Sequence, residues 1–159
     1  MAKEIERKFL VVNNQYESMA TECHHLAQGY ISLRKEGTVR VRVKDSEAFL
    51  TVKGVNHGAV RSEWEYPVPL ADAMEMLGEV IQGSVVEKHR YVVPFGEHVW
   101  EVDRFDGAHS GLVVAEVELS SADEPLTLPP FVGEEVTGDP RYYNSSLASG
   151  RSFSGSSSI

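Results

Sequence analysis

The feature that most constrains this chain is a period-two alternation running from its start to about Leu119, which splits each segment into an apolar set and an ionic set. Successive residues of an extended strand point to opposite faces, so residues two apart share a face, about 6.5–7 Å from each other. One set reads Glu4, Glu6, Lys8; Arg40, Arg42, Lys44; Thr51, Lys53; Arg61, Glu63, Glu65; Lys88, Arg90; Glu101, Asp103; Glu116, Glu118. The other reads Val39, Val41, Val43; Leu50, Val52; Trp64, Tyr66; Trp100, Val102; Ala115, Val117, Leu119. Such patterning calls for antiparallel sheet with one oily and one charged side.

Turn signals at Glu36-Gly37, Asp45-Ser46, Gly54 to Gly58, Phe95-Gly96 and Asp106 to Gly111 cut the alternation into eight strands, at about 3–12, 27–35, 38–44, 47–54, 59–68, 84–93, 97–105 and 112–120. Between the fifth and sixth, Leu70, Ala73, Met74, Leu77, Val80 and Ile81 recur at the spacing of an amphipathic helix. A second helix is predicted over about 140–148, with Asp139 as N-cap and Pro140 at the first helical position. The ending SFSGSSSI reads as a disordered serine-rich tail, so 1–150 is expected to be one domain and 151–159 the tail.

Solvated sheet faces interleave charges of opposite sign, because like neighbours repel. Here like charges come in doublets, Glu-Glu, Arg-Arg, Lys-Arg, Glu-Asp and Glu-Glu. Cations between the carboxylates and an anion between the basic groups would relieve that repulsion. Eight antiparallel strands also suffice to close a barrel, which removes exposed edges. With the ionic face outward the helices would have little to cover, whereas with it inward they pack on the oily exterior. The expected fold is therefore mainly β (α+β), a closed eight-stranded antiparallel barrel with a charged lumen and helices packed outside. Apolar exterior left uncovered is expected to serve a homodimer.

Twenty-four acidic against fifteen basic residues, a net charge of −9, argue against nucleic acid or an anionic membrane as a partner. Cys23 is alone, so neither an intrachain disulfide nor a cysteine zinc site can form. The start is charged where a signal peptide would be apolar, and no apolar run approaches the roughly 20 residues that span a bilayer. A cytoplasmic protein is expected. His24 and His25 are adjacent and cannot share a strand face, and His89 points opposite to Lys88 and Arg90, so all three are expected to be structural or exposed.

Carboxylate clusters without His or Cys suit hard cations such as magnesium or manganese, and Mg²⁺ favours a few carboxylates plus phosphate oxygens. Arginine and lysine across the same cavity supply phosphate contacts, Arg bidentately. The composite describes a site for a small phosphate-rich substrate, a metal-chelated linear polyphosphate.

At this level the chain resembles the CYTH superfamily, the triphosphate tunnel metalloenzymes. EIERK (4–8) is similar to the family's Glu-x-Glu-x-Lys signature, followed in order by QGYI (28–31), RVRVK (40–44), LTVKG (50–54), RSEWE (61–65), EKHRY (87–91), WEVDRF (100–105), LVVAEVEL (112–119), EEVTGD (134–139) and RYYNSSLA (141–148). The resemblance implies a tunnel-forming barrel. It implies divalent-metal ligands at Glu4, Glu6, Glu116 and Glu118, together with Asp103, Glu63 and Glu65, and triphosphate-binding groups at Lys8, Arg40, Arg42, Lys53, Arg61, Lys88 and Arg90. Glu4, Glu6, Lys8, Lys88 and Arg90 would be catalytic, with Lys88 and Arg90 orienting the scissile phosphate and stabilising the leaving group. The short single-domain form is most similar to bacterial inorganic triphosphatases, which cleave tripolyphosphate to diphosphate and phosphate. Alternatives are a nucleoside or thiamine triphosphatase, an adenylate cyclase, or a non-catalytic polyphosphate-binding module.

Overall fold

In the computed structural model, which describes residues 3–148, the alternating segments pair as strands β1 (Lys3–Val11), β2 (Glu22–Ser32), β3 (Thr38–Lys44), β4 (Glu47–Lys53), β5 (Val60–Val68), β6 (Gln82–Phe95), β7 (His98–Phe105) and β8 (Val113–Glu118). All neighbours are antiparallel, in the order β5-β4-β3-β2-β6-β7-β8-β1. A further pairing of β1 with β5, through Lys3↔Ser62, Glu4↔Arg61 and Ile5↔Val60, closes the sheet on itself. A short ninth strand, β9 (Val132–Glu135), occupies the rest of the same edge of β1. Along that edge Glu6 N donates to Ala59 O at 2.9 Å, and Lys8 O then accepts from Val136 N at 2.8 Å.

The oily faces look outward, and two sets of elements cover them. Helix α2 (Leu70–Glu79) lays Ala73 on Val41, Val43 and Ala48, with Leu77 and the following Ile81 alongside. Gly29 makes room for this, because a Cβ there would lie 2.9 Å from two Ile81 carbons. On the opposite wall Phe9, Trp100, Val102, Ala115 and Val117 pack beneath Tyr16 of helix α1 (Tyr16–Met19) and beneath Phe131. Burial of each such large apolar side chain contributes about 1.5–3 kcal/mol. Tyr66 and Met74 remain 57 % exposed on the exterior.

Several boundaries differ from the sequence expectation. β2 begins at Glu22 rather than about 27, held there by pairing of Glu22, Cys23, His24 and His25 with the long β6. α1 and β9 were not predicted, each being only four residues long. The predicted helix over 140–148 is broken into a 3₁₀ turn, Pro140–Tyr142, an extended Tyr143 (ψ 136°), and helix α3 (Asn144–Ala148). Asp139 does cap the turn, accepting from Arg141 N at 3.0 Å.

The C-terminal segment is also not on the barrel exterior. Tyr30, Val86, Phe105, Leu112 and Val114 continue the inward-facing positions of their strands toward one end, and they bury against Tyr142, Leu147 and Ala148. The lumen is therefore ionic along part of its length and apolar at one end, and the oily end is covered by the segment that follows β9. The serine-rich tail lies outside the described residues.

Candidate active site

The inward ionic residues enclose a cavity of about 300 Å³. Every member of the alternate ionic set lines it except Lys44, Thr51, Lys88 and Asp103. Strand register decides which charges face one another. Glu4 lies opposite Arg61, Lys8 opposite Glu116, and Lys53 opposite Glu63, so these pairs compensate. Glu6 lies opposite Glu118, and Glu101 opposite Glu116, which is the unfavourable like-charge arrangement.

The cationic wall is partly satisfied by neutral groups. Arg42 Nε donates to Gln28 Oε1 at 2.8 Å. Arg61 donates through Nε to Gly54 O at 2.8 Å and through a terminal nitrogen to Thr38 Oγ1 at 3.1 Å. Arg40, 5 % exposed, donates to Thr51 Oγ1 at 3.2 Å, yet its Nε is buried with no partner. A buried guanidinium N–H left unpaired costs of order 1–3 kcal/mol, which an anion in the cavity would recover. Burial, with the nearby Arg40 and Arg90 charges, presses the Arg42 pKa down to about 9, so it remains a cation at neutral pH.

The acidic wall is crowded. Lys53 Nζ stands between Glu4 (3.0 Å) and Glu63 (3.3 Å), close to Glu4 Oε1 without the alignment of a hydrogen bond. Burial opposes ionisation of Glu4, but Lys53 and the neighbouring Glu63 and Glu6 carboxyls outweigh it and hold Glu4 well below the usual range. Burial first, then the charges of Glu116 and Glu4, push Glu6 well above it. Burial and the contact with Glu4 lift Glu63 to about 7. Beyond these groups a second cavity of about 410 Å³ shares Glu6, Glu101, Glu116 and Glu118 and adds Glu97, His98 and Glu124, so that mouth of the barrel is acidic.

Lys88 and Asp103 sit behind the lumen wall, 0 % and 1 % exposed in their side chains. Lys88 Nζ donates to Asp103 Oδ2 at 2.6 Å and to Asn144 Oδ1 at 3.1 Å. Arg90 grips the same carboxylate bidentately, which occupies both Asp103 oxygens with protein cations. Burial, helped by the Arg90 and Arg42 charges, lowers the Lys88 pKa to about 7 against the pull of Asp103. Of the remaining expected ligands, Glu65 accepts from Thr51 Oγ1 at 2.9 Å, Lys8 reaches Glu116 at 3.3 Å and the Tyr142 carbonyl at 2.9 Å, and Glu118 faces both cavities.

Sequence reasoning missed the neutral participants. Gln28, Asn144, Ser145, Thr137 and Asn56 line or back the cavity, and only Gln28, on the inward face of β2, carried a signal in its strand position. None of the three histidines on β2 and β6 lines the cavity: His24, opposite Arg90 in register, is held between Asp45 (2.6 Å) and Glu22 (2.8 Å), while on the outward face His25 meets Glu87 and His89 meets Asp106.

Among the described residues no three His, Cys, Asp or Glu side chains are drawn together at metal-holding spacing. The donor chemistry nonetheless fits magnesium or manganese. All ligands are carboxylate oxygens, two like-charge pairs face each other across the strands, and Mg²⁺ binds through one or two carboxylates completed by phosphate oxygens.

The sequence pattern of the CYTH domain matches residues 2–144. An inorganic triphosphatase of Acetivibrio thermocellus is 46 % identical over 147 residues, 92 % of this chain and 94 % of that protein. An inorganic triphosphatase of Nitrosomonas europaea is 38 % identical over 150 residues, 91 % and 96 % of the two chains. A solved structure of an inorganic triphosphatase superposes with a TM-score of 0.66 at 35 % identity, covering 94 % of this chain and 96 % of its own. Barrel, inward charges and extended likeness agree: the chain belongs to the CYTH domain family.

Proposed function

We propose that the protein is a hydrolase that cleaves inorganic triphosphate to diphosphate and phosphate inside the barrel, using magnesium or manganese. The observation that carries this reading is the buried, unpartnered Nε of Arg40 in the same cavity as the crowded carboxyls of Glu4, Glu6 and Glu63. An anion that brings its own cations answers both walls at once.

Arg40, Arg42, Arg61, Lys53, Lys8 and Arg90 would hold the phosphate oxygens, which fixes the chain so that a terminal phosphorus and its bridging oxygen lie in line with an attacking water. Glu4, Glu6, Glu116 and Glu118 would hold a divalent ion, which would supply charge neutralisation on the phosphate oxygens and a more acidic water. Water oxygen bonds to the terminal phosphorus, the bridging P–O bond breaks, and one water proton passes to a carboxylate while diphosphate leaves as an anion. Arg90, fixed by Asp103, faces the developing charge on the leaving oxygens. The substrate partner is a small phosphate-rich anion rather than nucleic acid, in a cytoplasmic setting.

The test is a panel of tripolyphosphate, ATP, thiamine triphosphate and diphosphate with magnesium or manganese. Tripolyphosphate is expected to be consumed fastest, and only with metal. Absence of phosphate release from tripolyphosphate in every condition would overturn the reading, and preferential release from ATP would replace it with a nucleotide enzyme.

A further inference from the structure

Asn144, the first residue of α3, walls the cavity between the lumen and Lys88. The direction of its amide is dictated by groups that can only donate. Arg42 has no acceptor atom, and its Nε donates to Gln28 Oε1 at 2.8 Å, which turns the Gln28 NH₂ the other way. That NH₂ donates to Asn144 Oδ1 at 3.3 Å. Lys88 in its ammonium form, the form paired with the Asp103 carboxylate at 2.6 Å, gives a second hydrogen bond to the same oxygen at 3.1 Å. With Oδ1 committed to these two buried partners, both 0 % exposed, the planar amide must aim its two Nδ2 hydrogens away from them, on the side where Asn144 borders the cavity. Swapping oxygen and nitrogen would set an NH₂ against an ammonium and another NH₂.

We infer that Asn144 is a substrate-binding residue, whose Nδ2 donates to a phosphate oxygen of the anion in the lumen. The inference rests on the triphosphate reading above and deepens it. It also gives Lys88, which does not itself line the cavity, a positioning role: together with Arg42 acting through Gln28, it polarises and orients the amide that meets the substrate. The C-terminal segment thereby contributes a neutral donor beside the strand cations.

Asn144→Asp separates donation to phosphate from support of Lys88, because it keeps an oxygen for Lys88 and Gln28 but turns an anionic oxygen toward the phosphates. Binding of a non-hydrolysable triphosphate analogue is measured by calorimetry with magnesium, and hydrolysis of tripolyphosphate with magnesium, alongside the thermal midpoint. The expected result is a KM and Kd raised about tenfold to a hundredfold with the midpoint held or increased. Asn144→Ala, which removes donor and acceptor together, is expected to raise KM similarly and to lower the midpoint. If Asn144→Asp binds and turns over tripolyphosphate as the wild type does, Asn144 merely supports Lys88 and the inference is overturned. If the folded wild type, with magnesium, neither binds the analogue nor hydrolyses tripolyphosphate, the triphosphate reading falls first and this assignment with it.

Discussion

Arg90 and Asp103 face each other directly across β6 and β7, with Nε to Oδ1 at 2.7 Å and a terminal nitrogen to Oδ2 at 2.8 Å. The pair sits 9 % and 1 % exposed, and Lys88 completes it at 2.6 Å. Removing one member of a buried ion cluster leaves its partners charged and unpaired. Asp103→Ala is therefore expected to destabilise the fold by about 3–5 kcal/mol, read by urea denaturation. Because Asp103 anchors protein cations, the loss should be the same with magnesium present or chelated.

Arg40 and Glu6 should fail in different ways. Arg40→Ala removes phosphate contacts made in ground and transition state alike, so KM for tripolyphosphate is expected to rise about tenfold to a hundredfold with a smaller change in kcat. Glu6→Ala removes a cation-facing carboxylate opposite Glu118, and metal-dependent turnover is expected to drop about 100-fold or more. Steady-state kinetics at several magnesium concentrations distinguish the two.

The acidic wall makes the metal-free protein pH-sensitive. Glu63 is lifted to about 7, and Glu6 and Glu118 are also raised, so between roughly pH 4.5 and 7 the folded chain holds more protons than the unfolded chain. Stability that is full below the unfolded pKa is then lost as pH rises through the folded value. His24, raised by Asp45 and Glu22, acts in the same direction. In chelator, the thermal midpoint is expected to fall between pH 5 and pH 7, and Glu63→Gln should flatten the fall. The depressed carboxyls Asp103, Glu4 and Glu116 contribute in the opposite sense only at lower pH.

Gly29→Ala tests the packing of α2 on the barrel. The new methyl would lie 2.9 Å from Ile81 carbons and force the chain after α2 outward, for an expected loss of about 1–3 kcal/mol in denaturant titration.

The alternation made β3, β4 and β7 legible to within a residue or so, because one oily face and one ionic face tolerate no slip of register. The same logic found the inward charges. What it could not find depends on contacts between distant segments. β9 is four residues with a glycine, and it exists because Phe9 and Val11 offer it an edge. The break at Tyr143 contradicts the helical reading of 140–148, and it accompanies a Tyr142 carbonyl that accepts from Lys8 at 2.9 Å. Lys88 and Asp103 have the right parity for the lumen but lie near its apolar end, where the C-terminal segment comes between them and the open cavity; parity gives the face of a strand and not the depth along it.

Anomalous scattering from crystals grown with manganese and a non-hydrolysable triphosphate analogue tests the central claim most directly. The expected map has a manganese peak against the Glu4 and Glu6 carboxylates, with the phosphorus chain running past Arg40 and Arg42 within the barrel. Ion and anion bound on the outer wall, with the lumen holding neither, would contradict it.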